Sequence, residues 1–132
     1  MKAFTDLEVW KKSRILRQEV SKLVKSFPAE ERYRLVDQII RSSRSVGNNI
    51  AEGHGRYHHA DSSKFLITAR GSATETLDHL IVALDEGYIT EEIFNNFKND
   101  IEECLRMLNG YINYLKAQSE SKPINKLTVT NL

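Results

Sequence analysis

The chain has 132 residues, of which 40% are hydrophobic and 28% are charged, as in a single globular domain. It contains one cysteine, so no intrachain disulfide can form, which fits a reducing compartment. No apolar run approaches the roughly 18 residues of a membrane-spanning helix. The N-terminus, M-K-A-F-T-D-L-E, lacks the apolar segment of a secretory signal. We therefore expect a cytoplasmic protein with no membrane partner.

The net charge of +1 conceals a difference between the two halves of the chain. Residues 1–70 contain 14 Lys and Arg against 8 Asp and Glu, a balance of +6. Residues 71–132 contain 5 against 10, a balance of −5, and the two balances give the total of +1. A chain polarised in this way can bind a polyanion with one half, or pair its halves within or between subunits.

The first predicted helix covers residues 6–26, with Thr5 or Asp6 as its N-cap. Its apolar side chains recur at steps of three and four, which indicates one buried face: Val9, Trp10, Leu16, Val20, Leu23, Val24 and Phe27, with Ser13 among them. The opposite face is a basic ridge formed by Lys11, Arg14, Gln18, Lys22 and Lys25. Such a ridge is either a solvated face or a surface that binds phosphates or another subunit.

The second predicted helix covers residues 29–53, starting after Pro28 and stopping at Gly53 and Gly55. Its predicted core side consists of Tyr33, Val36, Ile39, Ile40, Ser43, Val46, Gly47, Ile50 and His54. Gly47 and the neighbouring serines weaken the helix, which indicates that another backbone approaches closely there.

The third predicted helix covers residues 61–86, with Asp61 or Ser62 as its cap and Gly87 as its stop. Its core stripe is Phe65, Leu66, Ala69, Ala73, Leu77, Leu80 and Leu84. The fourth covers residues 90–118, with Thr90 as its cap. Its seam, spaced as in a coiled coil, is Phe97, Ile101, Cys104, Leu108, Tyr111 and Leu115.

Four such helices joined by short connections predict an all-α fold, an antiparallel up-down-up-down four-helix bundle. The bundle is expected to occupy residues 1–118 as a single domain. Residues 119–132 have no helical period and contain Pro123, so we expect them to form a mobile polar tail.

The outward faces of the second and third helices are candidates for self-assembly. Small residues there let another backbone approach, and opposite charges on the two faces suit a head-to-tail ring. The predicted interface consists of Arg34, Gln38, Arg41, Ser45, Asn49 and Glu52 on the second helix, with Ile67, Gly71 and Glu75 on the third. The alternative is a monomer in which these faces are simply solvated.

The residues that could carry catalysis or bind a metal form only weak patterns. His54, His58, His59 and Asp61 cluster near one connection, but nothing else in the sequence completes a set of metal ligands. Cys104 lies in the core seam and is expected to be buried and inert. We therefore predict no catalytic residues, no metal and no cofactor.

Four blocks of sequence together resemble one protein family. They are D-L-E-V-W near the N-terminus, Q-I-I-R-S-S-R-S-V-G-N-N-I-A-E-G-H-G-R in the second predicted helix, K-F-L-I-T-A-R-G-S-A-T-E-T in the third, and the turn E-G-Y-I after it. Their order and spacing are similar to those of the 23S rRNA intervening-sequence proteins, bacterial proteins of which some are encoded in insertions within the large-subunit rRNA gene. The resemblance covers about residues 4–118.

This resemblance implies a four-helix bundle that assembles as a homopentameric ring. The accessory variability proteins of diversity-generating retroelements are similar to the family, and they form such a ring with a basic surface that binds nucleic acid and a reverse transcriptase. The positions that match the motifs of the family are Gln38, Arg41, Ser45, Asn49, Glu52, Gly53, Arg56, Phe65, Gly71, Ser72 and Glu75.

We therefore expect a non-enzymatic homopentamer that binds RNA or DNA phosphates, and the resemblance leaves open a protein partner such as a reverse transcriptase. The residues expected to contact nucleic acid are Lys11, Arg14, Lys22, Lys25, Arg44 and Arg56. The alternative is a protein-interaction module without a nucleic-acid ligand, in which the charge asymmetry serves assembly alone.

Overall fold

The structure, a computed structural model, describes residues 3–56 and 58–121. Within these residues it contains four α-helices: α1 (Glu8–Leu23), α2 (Leu35–His54), α3 (His59–Asp85) and α4 (Glu91–Ser121). Short 3-10 turns lie before α1 (Phe4–Asp6), after it (Val24–Ser26) and before α2 (Ala29–Glu31). The described residues contain no strand, and the predicted all-α four-helix bundle is confirmed. None of these helices combines the length and the apolar character needed to cross a membrane.

Hydrogen bonds between α2 and α3 define how the two helices are paired. The Ser42 and Thr76 hydroxyls lie 2.8 Å apart, and the Ser45 and Ser72 hydroxyls lie 2.9 Å apart. Residue numbers therefore fall along α3 as they rise along α2, which makes the two helices antiparallel. Because each hydroxyl finds a partner across the gap, the polar groups on this seam are not left unsatisfied.

An ion-pair cluster joins the first helix to the last. The Lys12 ammonium lies 3.3 Å from an Asp100 carboxylate oxygen and 3.0 Å from one of Glu103. The hydrogen bond to Glu103 is the main cause that raises the pKa of Lys12 above its ordinary value, against the opposing effect of burial. This cluster brings α4 back against α1, so that each helix packs on the next and the bundle closes.

The core is formed by the apolar stripes of all four helices. The predicted core residues that the structure buries are Val9, Leu16, Val20, Val24, Phe27, Ile39, Val46, Ile50, Leu66, Ala69, Ala73, Leu80, Ile101, Cys104, Leu108 and Leu115. The structure adds Leu35, Ala83, Ile89 and Ile112 to them. Trp10 is only half-buried, and its ring meets Phe4 edge-on at a centroid distance of 5.3 Å.

Two glycines of α2 lie where neighbouring helices approach most closely. A Cβ atom built on Gly47 would lie 3.0 Å from the Ser13 hydroxyl oxygen of α1. One built on Gly53 would lie 3.1 Å from the Ser62 carbonyl oxygen and 3.2 Å from the Phe65 Cβ atom of α3. A side chain at either position would force its neighbours apart, which confirms the predicted close approach at Gly47.

The largest departure from the predicted elements is at the start of the second helix. Continuous helix was expected from residue 29, but the chain forms a 3-10 turn, then a break, and α2 begins at Leu35. Arg34, the N-cap, has φ −120° and ψ −106°, which is not helical. Tyr33, predicted to lie in the core, is 82% exposed.

The ends of the other helices also differ from prediction. The residue capping α1 is Leu7 rather than Thr5 or Asp6, and the residue capping α3 is His58 rather than Asp61 or Ser62. Thr90 caps α4 as predicted, because its hydroxyl accepts the Ile93 N–H at 3.2 Å. Residues 119–121, expected in the tail, are the last turn of α4. The rest of the predicted tail, 122–132, lies outside the described residues.

Candidate nucleic-acid interface and assembly surface

The basic ridge of α1 is exposed along its whole length. Lys11, Arg14, Lys22 and Lys25 all face solvent. Lys11 pairs with Glu8 at 3.3 Å and Lys22 with Glu19 at 3.4 Å, and both are exposed pairs within the helix. Exposed pairs of this kind contribute only about 0.3–0.5 kcal/mol. A phosphate can therefore displace the carboxylates at little cost.

Arg44 lies on the same side of the bundle as this ridge. Gly47 of α2 faces Ser13 and Trp10 of α1, and Arg44 precedes Gly47 by one helical turn on the exposed flank of that contact. On α1, the Arg14 guanidinium carbon is 5.8 Å from the centroid of the Trp10 ring. Five of the six predicted nucleic-acid contacts are thus exposed on α1, the turn after it and α2, and together they are called the basic face: Lys11, Arg14, Lys22, Lys25 and Arg44.

Arg56, the sixth predicted contact, lies apart from the others. It follows α2, where its guanidinium carbon lies 4.6 Å from the centroid of the Phe65 ring of α3 and one of its nitrogens lies 3.3 Å from a Glu52 carboxylate oxygen. Together with Asn48, Ala51 and Gly55, this ion pair lines a surface hollow of about 540 Å³. Arg56 is therefore held against α3 and is not part of the basic face.

The predicted assembly stripe of α2 divides into two parts. Gln38, Arg41 and Glu52 are exposed, and Arg34 is exposed just before the helix begins. Arg41 is also paired with Asp37 of its own helix at 3.1 Å.

The other two members of this stripe face the neighbouring helix. Ser45 and Asn49 were expected to face outward, but both are half-buried. Ser45 bonds Ser72 of α3, and the Asn49 amide donates to the Ser45 carbonyl oxygen at 2.9 Å. Their polar groups stabilise the α2–α3 pair within one chain.

The outer face of α3 presents apolar and small residues to solvent. Ile67, Gly71 and Glu75 are exposed as predicted, and Ile81 and Val82 extend the apolar surface along the helix. A Cβ atom built on Gly71 would meet no heavy atom within 4 Å. No contact with residues 3–56 or 58–121 therefore requires a glycine at this position.

The histidine cluster places one imidazole inside the bundle. His59, the first residue of α3, is 1% exposed, and neither ring nitrogen has a hydrogen-bond partner in the described residues. Burial lowers the pKa of His59 below its ordinary 6.5, because the charged ring loses its hydration. Among residues 3–56 and 58–121, no three His, Cys, Asp or Glu side chains are arranged to hold a metal ion.

Cys104 is fully buried, as predicted. Burial is the main cause that raises the pKa of its thiol to about 11. The thiolate, which is the nucleophilic form, is therefore scarce near neutral pH, so this thiol is chemically inert.

Comparison with known proteins agrees with the bundle and its motifs. The family model of the 23S rRNA-intervening sequence protein matches residues 5–110. The chain belongs to this family. The chain is also similar to a protein of unknown function from the S23 ribosomal protein family of Bacteroides thetaiotaomicron, whose crystal structure is known. The two sequences are 30% identical. The two align with a TM-score of 0.74 over 80% of this chain and 95% of the other. No curated protein matches the chain.

Proposed function

We propose that the protein is a non-catalytic homo-oligomer, a pentameric ring, that binds RNA through the basic face of α1 and α2. The observation that supports this proposal is that five cations of α1, the turn after it and α2 are exposed: Lys11, Arg14, Lys22, Lys25 and Arg44. The ion pairs that these cations form within α1 are exposed and therefore weak. Lys12, by contrast, is held by two carboxylates of α4. The name of the family, which refers to 23S rRNA, favours RNA as the polyanion.

Contacts of this kind are made to phosphates and carry little sequence information. Removing one cation that binds a phosphate of single-stranded RNA lowers the slope of log K against log salt by about 0.7. The affinity of the protein for RNA should therefore fall steeply as salt rises, and the slope should count the cations that contribute.

The proposal is tested by removing three cations from the basic face and three from elsewhere. The triple variant Lys11→Gln, Lys22→Gln, Lys25→Gln is compared with Lys98→Gln, Arg106→Gln, Lys116→Gln on the exposed side of α4. Both variants have the same net charge, so an effect of net charge alone is equal in the two. We expect the first to lower the salt slope by about 2 and the affinity at low salt at least tenfold, and the second to leave both nearly unchanged.

Fluorescence anisotropy with a labelled single-stranded RNA, titrated at several salt concentrations, gives both the salt slope and the affinity. Equal decreases in the two variants, or a parent protein that does not bind RNA at low ionic strength, would contradict the proposal. Native mass spectrometry with and without RNA then reports the number of chains in the complex.

The apolar outer face of α3 favours a second candidate function, a protein-interaction module without a nucleic-acid ligand. Ile67 lies one turn before the exposed Gly71, and Ile81 and Val82 are exposed nearer the end of the same helix, which suits contact with another protein surface. In that case the triple variant of the basic face would bind the protein partner as the parent does, and only substitutions on the outer face of α3 would weaken that binding.

A further inference from the structure

The corner between α1 and α2 presents an aromatic side chain to solvent. Tyr33 is 82% exposed, more than any other large hydrophobic side chain in the described residues. It lies in the break between the 3-10 turn Ala29–Glu31 and α2. Most of the ring surface therefore makes no contact with the part of the chain that the structure describes.

Two arginines flank this ring. The Arg32 guanidinium carbon lies 5.3 Å from the Tyr33 ring centroid, over one face. Arg34 follows directly, and neither arginine forms an ion pair with another described residue. A guanidinium over one face of an aromatic ring holds the ring by a cation–π contact and leaves the other face open.

The corner is also continuous with the basic face. Lys25, the last cation of the α1 ridge, lies in the 3-10 turn that ends α1, immediately before the corner. Of the two carboxylates of the corner, Glu31 accepts a hydrogen bond from the Tyr88 hydroxyl at 3.0 Å and is directed to the other hairpin. Glu30 is exposed. Lys25, Arg32 and Arg34 therefore set three cations against the two carboxylates Glu30 and Glu31, a net charge of +1 for the corner that favours a polyanion.

We propose that Arg32, Tyr33 and Arg34 form a stacking site for an unpaired base of RNA, with the arginines holding the flanking phosphates. An exposed ring can stack on the face of any base, and a guanidinium recognises phosphate through its fork of N–H donors. Bases in a duplex are already stacked on each other, so this site distinguishes single-stranded RNA from duplex RNA. The inference rests on the proposed RNA binding and adds the form of RNA that this corner takes.

The test compares a single-stranded RNA of about 12 nucleotides with a duplex of the same length, using anisotropy at low salt. The variants are Tyr33→Ala and Tyr33→Trp, with Tyr114→Ala on α4 as the control because Tyr114 is also an exposed tyrosine. We expect Tyr33→Ala to weaken single-strand binding roughly tenfold. Duplex binding and the salt slope should stay unchanged, because no charge is removed, while Tyr33→Trp should keep the affinity of the parent.

The outcomes separate this site from the function on which it rests. A parent protein that binds neither RNA overturns both proposals. If the parent binds RNA and Tyr33→Ala binds single-stranded and duplex RNA as tightly as the parent does, only the proposed stacking site is ruled out. Equal weakening of both forms would also overturn it, since that result marks Tyr33 as a general surface contact. Far-ultraviolet circular dichroism of each variant confirms that the bundle is folded.

Discussion

Gly47 and Ser13 determine how closely α1 and α2 pack. The Ser13 hydroxyl donates to the Trp10 carbonyl oxygen at 2.7 Å, so it is held directly in front of Gly47. A methyl group at position 47 would approach that oxygen to 3.0 Å. The glycine therefore lowers helix propensity at this point in return for close contact between two helices.

We predict that Gly47→Ala lowers the free energy of unfolding by about 1–2 kcal/mol, because the clash exceeds the gain in helix propensity. Adding Ser13→Ala should recover part of this stability, since it removes the oxygen that the methyl group meets. Gly110→Ala is the control, and it should stabilise by roughly 0.5–1 kcal/mol because its added methyl group meets nothing within 4 Å. Urea unfolding measures all three, and a Gly47→Ala protein as stable as Gly110→Ala would contradict the predicted clash.

His59 should make the stability of the bundle depend on pH. Burial lowers the pKa of its ring in the folded state, so below pH 6.5 the unfolded chain binds more protons than the folded one. Above that pH the ring is neutral in both states and contributes no pH dependence, whereas folding stability decreases as the pH falls through and below 6.5.

We predict that His59→Phe reduces the loss of stability between about pH 7.5 and 5.5, because the variant has no group to protonate at this site. Removing two buried polar atoms without partners should also make the variant at least as stable as the parent at the higher pH. Urea unfolding at both pH values measures the change in the free energy of unfolding. Comparing that change between the variant and the parent removes the contribution of the other histidines. The same pH dependence in both proteins would show that His59 is not responsible.

The start of α2 explains why the helical pattern places Tyr33 in the core and the structure does not. On one helix, positions 33 and 35 are about 200° apart, so a helix that buries Leu35 cannot also bury Tyr33. Leu35 is the residue that the structure buries. Measured from Ile39, which is buried, Leu35 is about 40° away around the helix and Tyr33 about 120°, so the spacing favours Leu35 and the predicted core stripe passed over it. The chain breaks before Leu35 and leaves Tyr33 in solvent.

The outer face of α3 is the element on which the predicted assembly depends. If the protein is the proposed oligomer, we predict that Gly71→Leu converts it to monomers while the bundle stays folded, because the new Cβ atom meets no heavy atom of the described residues within 4 Å and the leucine blocks approach of another chain. The matched control is Gly110→Leu on α4, an exposed helical glycine that also has open space around it. Native mass spectrometry should give about 76 kDa, five chains of 15.2 kDa, for the parent and the control. A monomeric parent, or an unchanged mass for Gly71→Leu, would rule out this interface.

At the scale of the whole molecule, the charge asymmetry of the sequence becomes a difference between the two hairpins. The positive half of the chain forms α1 and α2 and the first turns of α3, and the negative half forms the rest of α3 and α4. Lys12, with its bonds to Asp100 and Glu103, uses one of these positive charges to close the bundle. Two of the exposed lysines of α1, Lys11 and Lys22, pair only with glutamates of their own helix among the described residues.

The sequence by itself determined the four helices, most of the core and the close approach at Gly47. Each depends on a local property of the chain: the period of about 3.6 residues, the capping residues, or a glycine within an apolar stripe. Only the tertiary structure decided that Ser45 bonds Ser72 of α3, that Arg56 packs on Phe65 away from the basic face, and that His59 is buried. A helical pattern gives the direction of a side chain on its own helix, whereas these three outcomes depend on which residue of another element lies opposite.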